Sequence, residues 1–255
     1  MVKQQTLLIT GSAKRIGKSL VSYFAHQGWN VAIHYRTSKN EAEELAGELS
    51  SLDIKLSIFH ADLNDESSSI SLLNRVNKDL GPVHCLINNA ATFEYDSVQT
   101  ADRDMWNLHM ETNLRAPFVL SQQFAMQLPD KANGNIINII DSRVWNLTPH
   151  FISYTLSKAG LWTLTQTLAL ALAPQIRVNA IAPGPTLVSR GQSEENLKKQ
   201  HQNTPLCRGP ELIEIARAAE FILNTPSFTG QMLALDGGQH MGWSFPNQEI
   251  NQNQK

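Results

Sequence analysis

The sequence predicts a single doubly wound α/β domain on a mostly parallel sheet of seven strands. Two observations carry this. Short β-rich runs recur along the chain, and segments of helical period separate most of them, the pattern of a parallel sheet covered on both faces. The runs LLIT and CLIN are apolar throughout rather than alternating, as buried central strands are.

Taken in order, the strands are expected at Thr6–Thr10, Asn30–Tyr35, Ile54–Ala61, Val83–Asn88, Asn135–Ile140, Ile176–Ile181 and Gln231–Leu235. Helices are expected at Arg15–Gln27, Glu41–Leu49, Ser67–Lys78, Asp102–Gln127 as a pair, Ser153–Leu172 and Leu212–Leu223. The polar stretch Pro185–Pro210 reads as a mobile flap over a site. No linker, charge block or repeat divides the chain, so one domain is expected over 1–240, followed by a polar tail over 241–255.

An α/β domain of 255 residues buries roughly three quarters of its unfolded surface and needs no disulfide or metal staple. A net charge of −2 argues against a broad basic face for nucleic acid. No apolar stretch is long enough for a signal peptide or a membrane span. Two distant thiols, Cys85 and Cys207, suggest a reducing compartment. A cytoplasmic protein is the expectation.

The first strand ends in Thr10-Gly11-Ser12-Ala13-Lys14-Arg15-Ile16-Gly17 and runs into a helix. Gly11 permits a tight turn, and Gly17 lets the helix lie close to the sheet. The free N–H groups at the helix start then face an anionic pyrophosphate. Arg15, with its planar fork, stands where a helix dipole disfavours a cation unless a phosphate partners it. The end of the second strand, His34-Tyr35-Arg36-Thr37-Ser38-Lys39, carries cations and hydroxyls with no carboxylate before Glu41. With Lys14 nearby, that charge suits a 2′-phosphate, so NADPH is expected over NADH. Asp62 and Leu63 follow the third strand and suit adenine; Asn88, Asn89 and Ala90 follow the fourth and suit ribose.

Tyr154 and Lys158 are spaced i, i+4 near a helix start, which puts both on one face. The lysine charge is expected to lower the tyrosine pKa into a range useful for proton donation. Asn113, in the helical segment before the fifth strand, is a candidate anchor for a water that relays protons to the lysine.

The turn, Asn88-Asn89-Ala90, Asn113, Tyr154 with Lys158, and Pro183-Gly184 occur in the order that resembles the short-chain dehydrogenases/reductases, over about residues 6–238. That resemblance implies a Rossmann-type fold and a nicotinamide-dependent oxidoreductase. Most of that family has serine thirteen residues before the tyrosine, and Asp141 stands there, with Ser142 next. An ionised carboxylate accepts hydrogen bonds and cannot donate one to a ketone oxygen; it suits a substrate that presents N–H groups. Phe93 offers a ring to sandwich a flat heterocycle against the nicotinamide.

TGSAKRIG, HYRTS, NNAATF and Asp141…Tyr154-x-x-x-Lys158 together resemble the pteridine reductase branch, including bacterial dihydromonapterin reductases. The resemblance implies that Arg15 contacts phosphate and pterin, that Phe93 stacks on the pterin, and that Asp141, Tyr154 and Lys158 deliver the proton. Thr186 falls where the branch has a cofactor-binding serine. Its phosphate-binding Arg-Ser pair aligns with Thr37-Ser38, so Arg36 sits one place early. The expected activity is NADPH-dependent reduction of a dihydropterin, with oxidised pterin or dihydrofolate as further substrates. The alternatives are a carbonyl reductase and an NADPH-binding sensor without turnover. The family also implies a homotetramer packed through the Asp102–Gln127 and Ser153–Leu172 helices. No metal site is expected.

Overall fold

The computed structural model describes residues 4–188 and 192–242. Seven strands, β1 (Thr6–Ile9), β2 (Asn30–Tyr35), β3 (Leu56–His60), β4 (Val83–Asn88), β5 (Gly134–Ile139), β6 (Ile176–Pro183) and β7 (Met232–Leu235), form one sheet in the order β3-β2-β1-β4-β5-β6-β7. Every pairing is parallel. The chain winds outward from β1 to β3, then returns to lay β4 on the other side of β1. This reversal opens a crevice at the carboxyl ends of β1 and β4, the place where open α/β sheets take ligands.

Strand side chains alternate between faces, and both faces are covered. Leu7 and Ile9 of β1 pack with Leu20, Val21 and Phe24 of α1 (Arg15–His26), Leu45 of α2 (Lys39–Glu48) and Ile215 and Ile222 of α8 (Leu212–Asn224). Leu8 points the other way, into a core with Leu72 and Leu73 of α3 (Glu66–Leu80) and Leu120 and Phe124 of α5 (Ala116–Gln127). This two-sided burial is why LLIT and CLIN lack a polar alternation. Cys85 of β4 is buried and Cys207 exposed.

The Asp102–Gln127 segment holds α4 (Arg103–Met110) and α5, joined by a π-turn over Glu111–Arg115 rather than by a loop. The wide turn re-aims a side chain inside an otherwise continuous helix, and it carries Asn113, which is fully buried. α6 (Ile152–Ala171) opens behind Phe151, a non-glycine residue in the left-handed region at φ +57°.

The flap expected over Pro185–Pro210 contains a helix, α7 (Glu194–Gln202), with a Ser193 side-chain cap on the Asn196 amide. Its strong polarity, with no buried residue on any face, hid the helix from an apolar-periodicity reading. Residues 189–191 of the flap and 243–255 of the expected tail lie outside the described residues. Among the described residues no helix is long and apolar enough to cross a membrane.

Candidate active site

A cleft of about 490 Å³ opens at the switch point, lined by the β1–α1 turn, the ends of β2, β4, β5 and β6, and the start of α6. Gly11 lies at φ +59°, and a Cβ there would come within 2.9 Å of the Ala90 Cα. A Cβ on Gly17 would lie 2.5 Å from both the Gly11 carbonyl oxygen and the Ser12 Cα. The turn is therefore packed too closely for side chains at both glycines. Asn89 closes it from β4, donating to the carbonyls of Thr10 and Gly11 at 2.9 and 3.0 Å. Thr10 Oγ1 accepts the Asn89 and Ala90 amides, each at 3.0 Å.

His34 supports the same turn from β2. Its Nδ1 accepts the Gly11 amide at 2.8 Å, and its Nε2 donates to the Ala61 carbonyl at 3.1 Å. Burial pushes the His34 pKa down to about 4, against a smaller upward pull from the Ala61 bond. The ring is neutral at pH 7, as those two bonds require.

Lys14, Arg15, Ile16, Tyr35, Arg36, Thr37, Ser38, Asp62 and Leu63 all line the cleft. Lys14 pairs with Glu41, and Arg36 reaches to 4.0 Å from Asp62. Arg15 takes a left-handed backbone at φ +55° and donates to the Val188 carbonyl at 2.8 Å, which ties the turn to the flap. Pro183, Gly184 and Thr186 line the opposite wall, with Thr186 Oγ1 turned back onto the Gly184 carbonyl. Asn88 does not line the cleft. Its amide donates to Asn138 Oδ1 at 2.8 Å in the sheet interior, and Asn89 and Ala90 occupy the wall instead.

At the end of β5, Tyr154 donates its hydroxyl to Asp141 Oδ2 at 3.0 Å. Asp141 Oδ1 accepts the Arg143 amide at 2.8 Å, which fixes the carboxylate. Lys158 Nζ donates to the Ile139 carbonyl at 2.8 Å and lies 5.9 Å from the Tyr154 ring centroid. The expected lowering of the tyrosine pKa is not what the geometry gives. Burial, then the charge and hydrogen bond of Asp141, hold the phenol well above its ordinary value. Lys158 instead is pulled down to about 8 by burial, partly opposed by Asp141. Asn113 bonds Thr92 and, at 3.1 Å, Ser157 Oγ, not Lys158 itself. It fixes the β4–α4 loop to α6.

Phe93 lines the cleft with its ring edge to face with Tyr154, centroids 4.7 Å apart. Phe151 stacks on Phe93 at 4.4 Å and 9°. The Arg143 guanidinium lies over both rings. Neither Arg143 nor Phe151 was singled out from the sequence; they reach Phe93 only because the β5 end and the entry to α6 converge. Ser142 is buried and does not line the cleft. Among the described residues no cluster of His, Cys, Asp or Glu is placed to hold a metal ion.

Residues 5–200 match the family model for short chain dehydrogenase. A 3-oxoacyl-[acyl-carrier-protein] reductase FabG of Staphylococcus epidermidis is 28% identical over 242 residues, 93% of this chain and 99% of that protein. The crystal structure of FolM alternative dihydrofolate reductase 1 from Brucella canis, complexed with NADP, is 42% identical with a TM-score of 0.90, covering 98% of this chain and 99% of that one. Its counterpart from Brucella suis, also with NADP, is 42% identical with a TM-score of 0.88 over 95% and 98% of the two chains. With residues 5–200 matched to that model and one parallel sheet of seven strands beneath the cleft, the chain belongs to the short-chain dehydrogenase family.

Proposed function

We propose that the protein reduces a C=N bond of a 7,8-dihydropterin with NADPH, with oxidised pterin or dihydrofolate as further substrates. The observation that carries this reading is the hydrogen bond from Tyr154 to Asp141, which puts a carboxylate where a carbonyl reductase needs a hydroxyl donor. The cleft fits the dinucleotide: two glycines leave room only for backbone at the turn, and Lys14 and Arg36 flank the end of β2. NADPH, when bound, supplies the hydride. The 42% identity to two NADP-complexed FolM proteins supports the same cofactor and substrate class.

In this reading Phe93 stacks on the heterocycle, and Asp141 accepts hydrogen bonds from its N–H groups. The Tyr154–Asp141 pair holds a proton beside the ring nitrogen next to C6. Tyr154 Oη gives up that proton, and the charge on Lys158 offsets the phenolate left behind. Arg15 holds phosphate and the edge of the pterin. Asn113 acts by anchoring the loop that carries Phe93. Oligomerisation to a tetramer is proposed through α4, α5 and α6, where Met126, Leu156 and Leu170 stand exposed in the isolated chain.

The test is NADPH oxidation by the purified protein against dihydromonapterin, dihydrobiopterin, dihydrofolate, a 3-oxoacyl thioester and simple ketones. Turnover of the dihydropterins supports the reading. Turnover of carbonyls alone replaces it with the reading that the FabG relatives favour, and tight NADPH binding with no turnover leaves a sensor.

A further inference from the structure

Behind the slot formed by Phe93 and Tyr154, three polar side chains are buried together: Asp96 at 1%, His109 at 0% and Ser153 at 0% exposure. None lines the cleft. His109, on α4, accepts the Glu94 amide at Nε2, 3.1 Å away. A neutral imidazole then carries its proton on Nδ1, which donates to Ser153 Oγ at 2.7 Å. Burial lowers the His109 pKa, against the upward pull of Asp96 and Glu94, and so favours that neutral ring. Ser153 Oγ donates to the Asp96 carboxylate, which also accepts the Ser153 amide at 3.1 Å. The Asp96 carbonyl accepts the Phe151 amide at 2.8 Å.

This chain of bonds joins three segments. One is the β4–α4 loop that carries Phe93, another is α4, and the last is the entry to α6 that carries Phe151 and Tyr154. The His109 ring stands edge to face against Tyr154, centroids 5.9 Å apart. Phe151 holds a left-handed backbone that is costly for a bulky side chain and persists only where its surroundings over-determine it. The Asp96 carbonyl supplies one such restraint and the stack on Phe93 another. An apolar core would hold the helices together as well. What a satisfied buried polar network adds is a single relative placement of the parts it joins.

We propose that His109 is a positioning residue that sets the spacing between Phe93 and Tyr154 through Ser153 and Asp96, and so governs how tightly a flat substrate is gripped. The proposal rests on the reading of Phe93 and Tyr154 as the walls of the substrate slot. His109 touches neither substrate nor cofactor in it.

Full-length His109→Leu, His109→Asn and Ser153→Ala proteins test this. The probes are steady-state kinetics with NADPH and 7,8-dihydromonapterin, NADPH affinity by fluorescence, and amide hydrogen exchange. Asn keeps an N–H donor near the place of Nδ1 and so preserves the bond to Ser153. His109→Leu and Ser153→Ala are expected to raise the KM for the pterin by about ten-fold, with kcat less affected and NADPH affinity within about two-fold. His109→Asn is expected to recover most of that KM. Faster exchange at the Glu94, Phe151 and Ser153 amides should accompany the loss. An unchanged KM in well-folded variants overturns the proposal, as does a parallel weakening of pterin and NADPH, which marks general loosening. If His109→Leu does not fold, the Asn and Ser153→Ala variants decide. If the unaltered protein turns over no dihydropterin, the functional reading fails, and the exchange data alone decide whether His109 couples the loop to α6: unchanged protection at Phe151 and Ser153 ends the idea.

Discussion

The Gly11 amide donates to His34 Nδ1 at 2.8 Å, so a buried neutral histidine on β2 holds the glycine turn at the end of β1. The His34 pKa of about 4 against the ordinary 6.5 has a consequence for stability. Above pH 6.5 the ring is neutral in both folded and unfolded chains, and its contribution is fully present. As pH falls from there towards 4 the unfolded chain takes up a proton that the folded chain excludes, and stability drains by roughly 3 kcal/mol in total. Urea unfolding across that pH range should show the loss, and His34→Asn should flatten it. A variant that loses as much stability on acidification as the unaltered protein shows that other groups carry the effect.

Gly17→Ala should damage the same turn by crowding. The added methyl meets the Gly11 carbonyl oxygen and the Ser12 Cα at 2.5 Å, both backbone atoms that have no rotamer to escape into. Overpacking of this kind costs roughly 1–3 kcal/mol. NADPH affinity should fall along with the melting temperature, because the displaced backbone belongs to the turn proposed to hold the pyrophosphate, and its Gly11 carbonyl accepts the Asn89 amide that closes that turn. Titration of NADPH fluorescence checks this; unaltered affinity places the pyrophosphate elsewhere.

Asp141→Ser exchanges an acceptor for a group that both donates and accepts. The change should cut kcat/KM for dihydropterin by about a hundred-fold or more, since a buried polar partner is left unpaired, and should raise activity on a ketone. It should also relieve the upward pull of the carboxylate on Tyr154. Parallel assays on the two substrate classes decide the matter, and a variant with its preference unmoved argues that Asp141 does not select the substrate.

Much of this was legible in the chain itself, for local reasons. LLIT and CLIN are apolar on both faces because β1 and β4 are covered on both faces, and the i, i+4 spacing of Tyr154 and Lys158 survives any packing of the helix that carries them. The turn was legible because only glycine fits at positions 11 and 17. What escaped depends on contacts between distant segments. His109 meets Ser153 across 44 residues and Asp96 meets it across 57, with no periodicity to announce either. Asn88 and Asn89 are neighbours in sequence, yet the strand's alternation turns the first into the sheet towards Asn138 and leaves the second on the cleft wall. The direction of the Tyr154 shift escaped too. It is decided first by burial, which no residue spacing displays, and then by the charge and hydrogen bond of Asp141, which outweigh the lysine that the i, i+4 spacing put forward.

Lys158 provides the last test, through the pH dependence of turnover. Its amine is buried and pulled down to about 8, while the phenol of Tyr154 is held well above 10. Across neutral pH the tyrosine therefore keeps its proton, and the lysine is the group whose charge changes. If that charge offsets the phenolate formed as Tyr154 gives up its proton, kcat/KM should be level below pH 8 and fall as pH rises through it. Lys158→Met should lower kcat by about two to four powers of ten and remove the limb, since no group is left to titrate there. Lys158→Arg is the sharper comparison: its charge persists to far higher pH, so whatever activity survives should run level through pH 8. A limb near pH 8 that persists in the arginine protein assigns the titration to another group and removes Lys158 from the proton step.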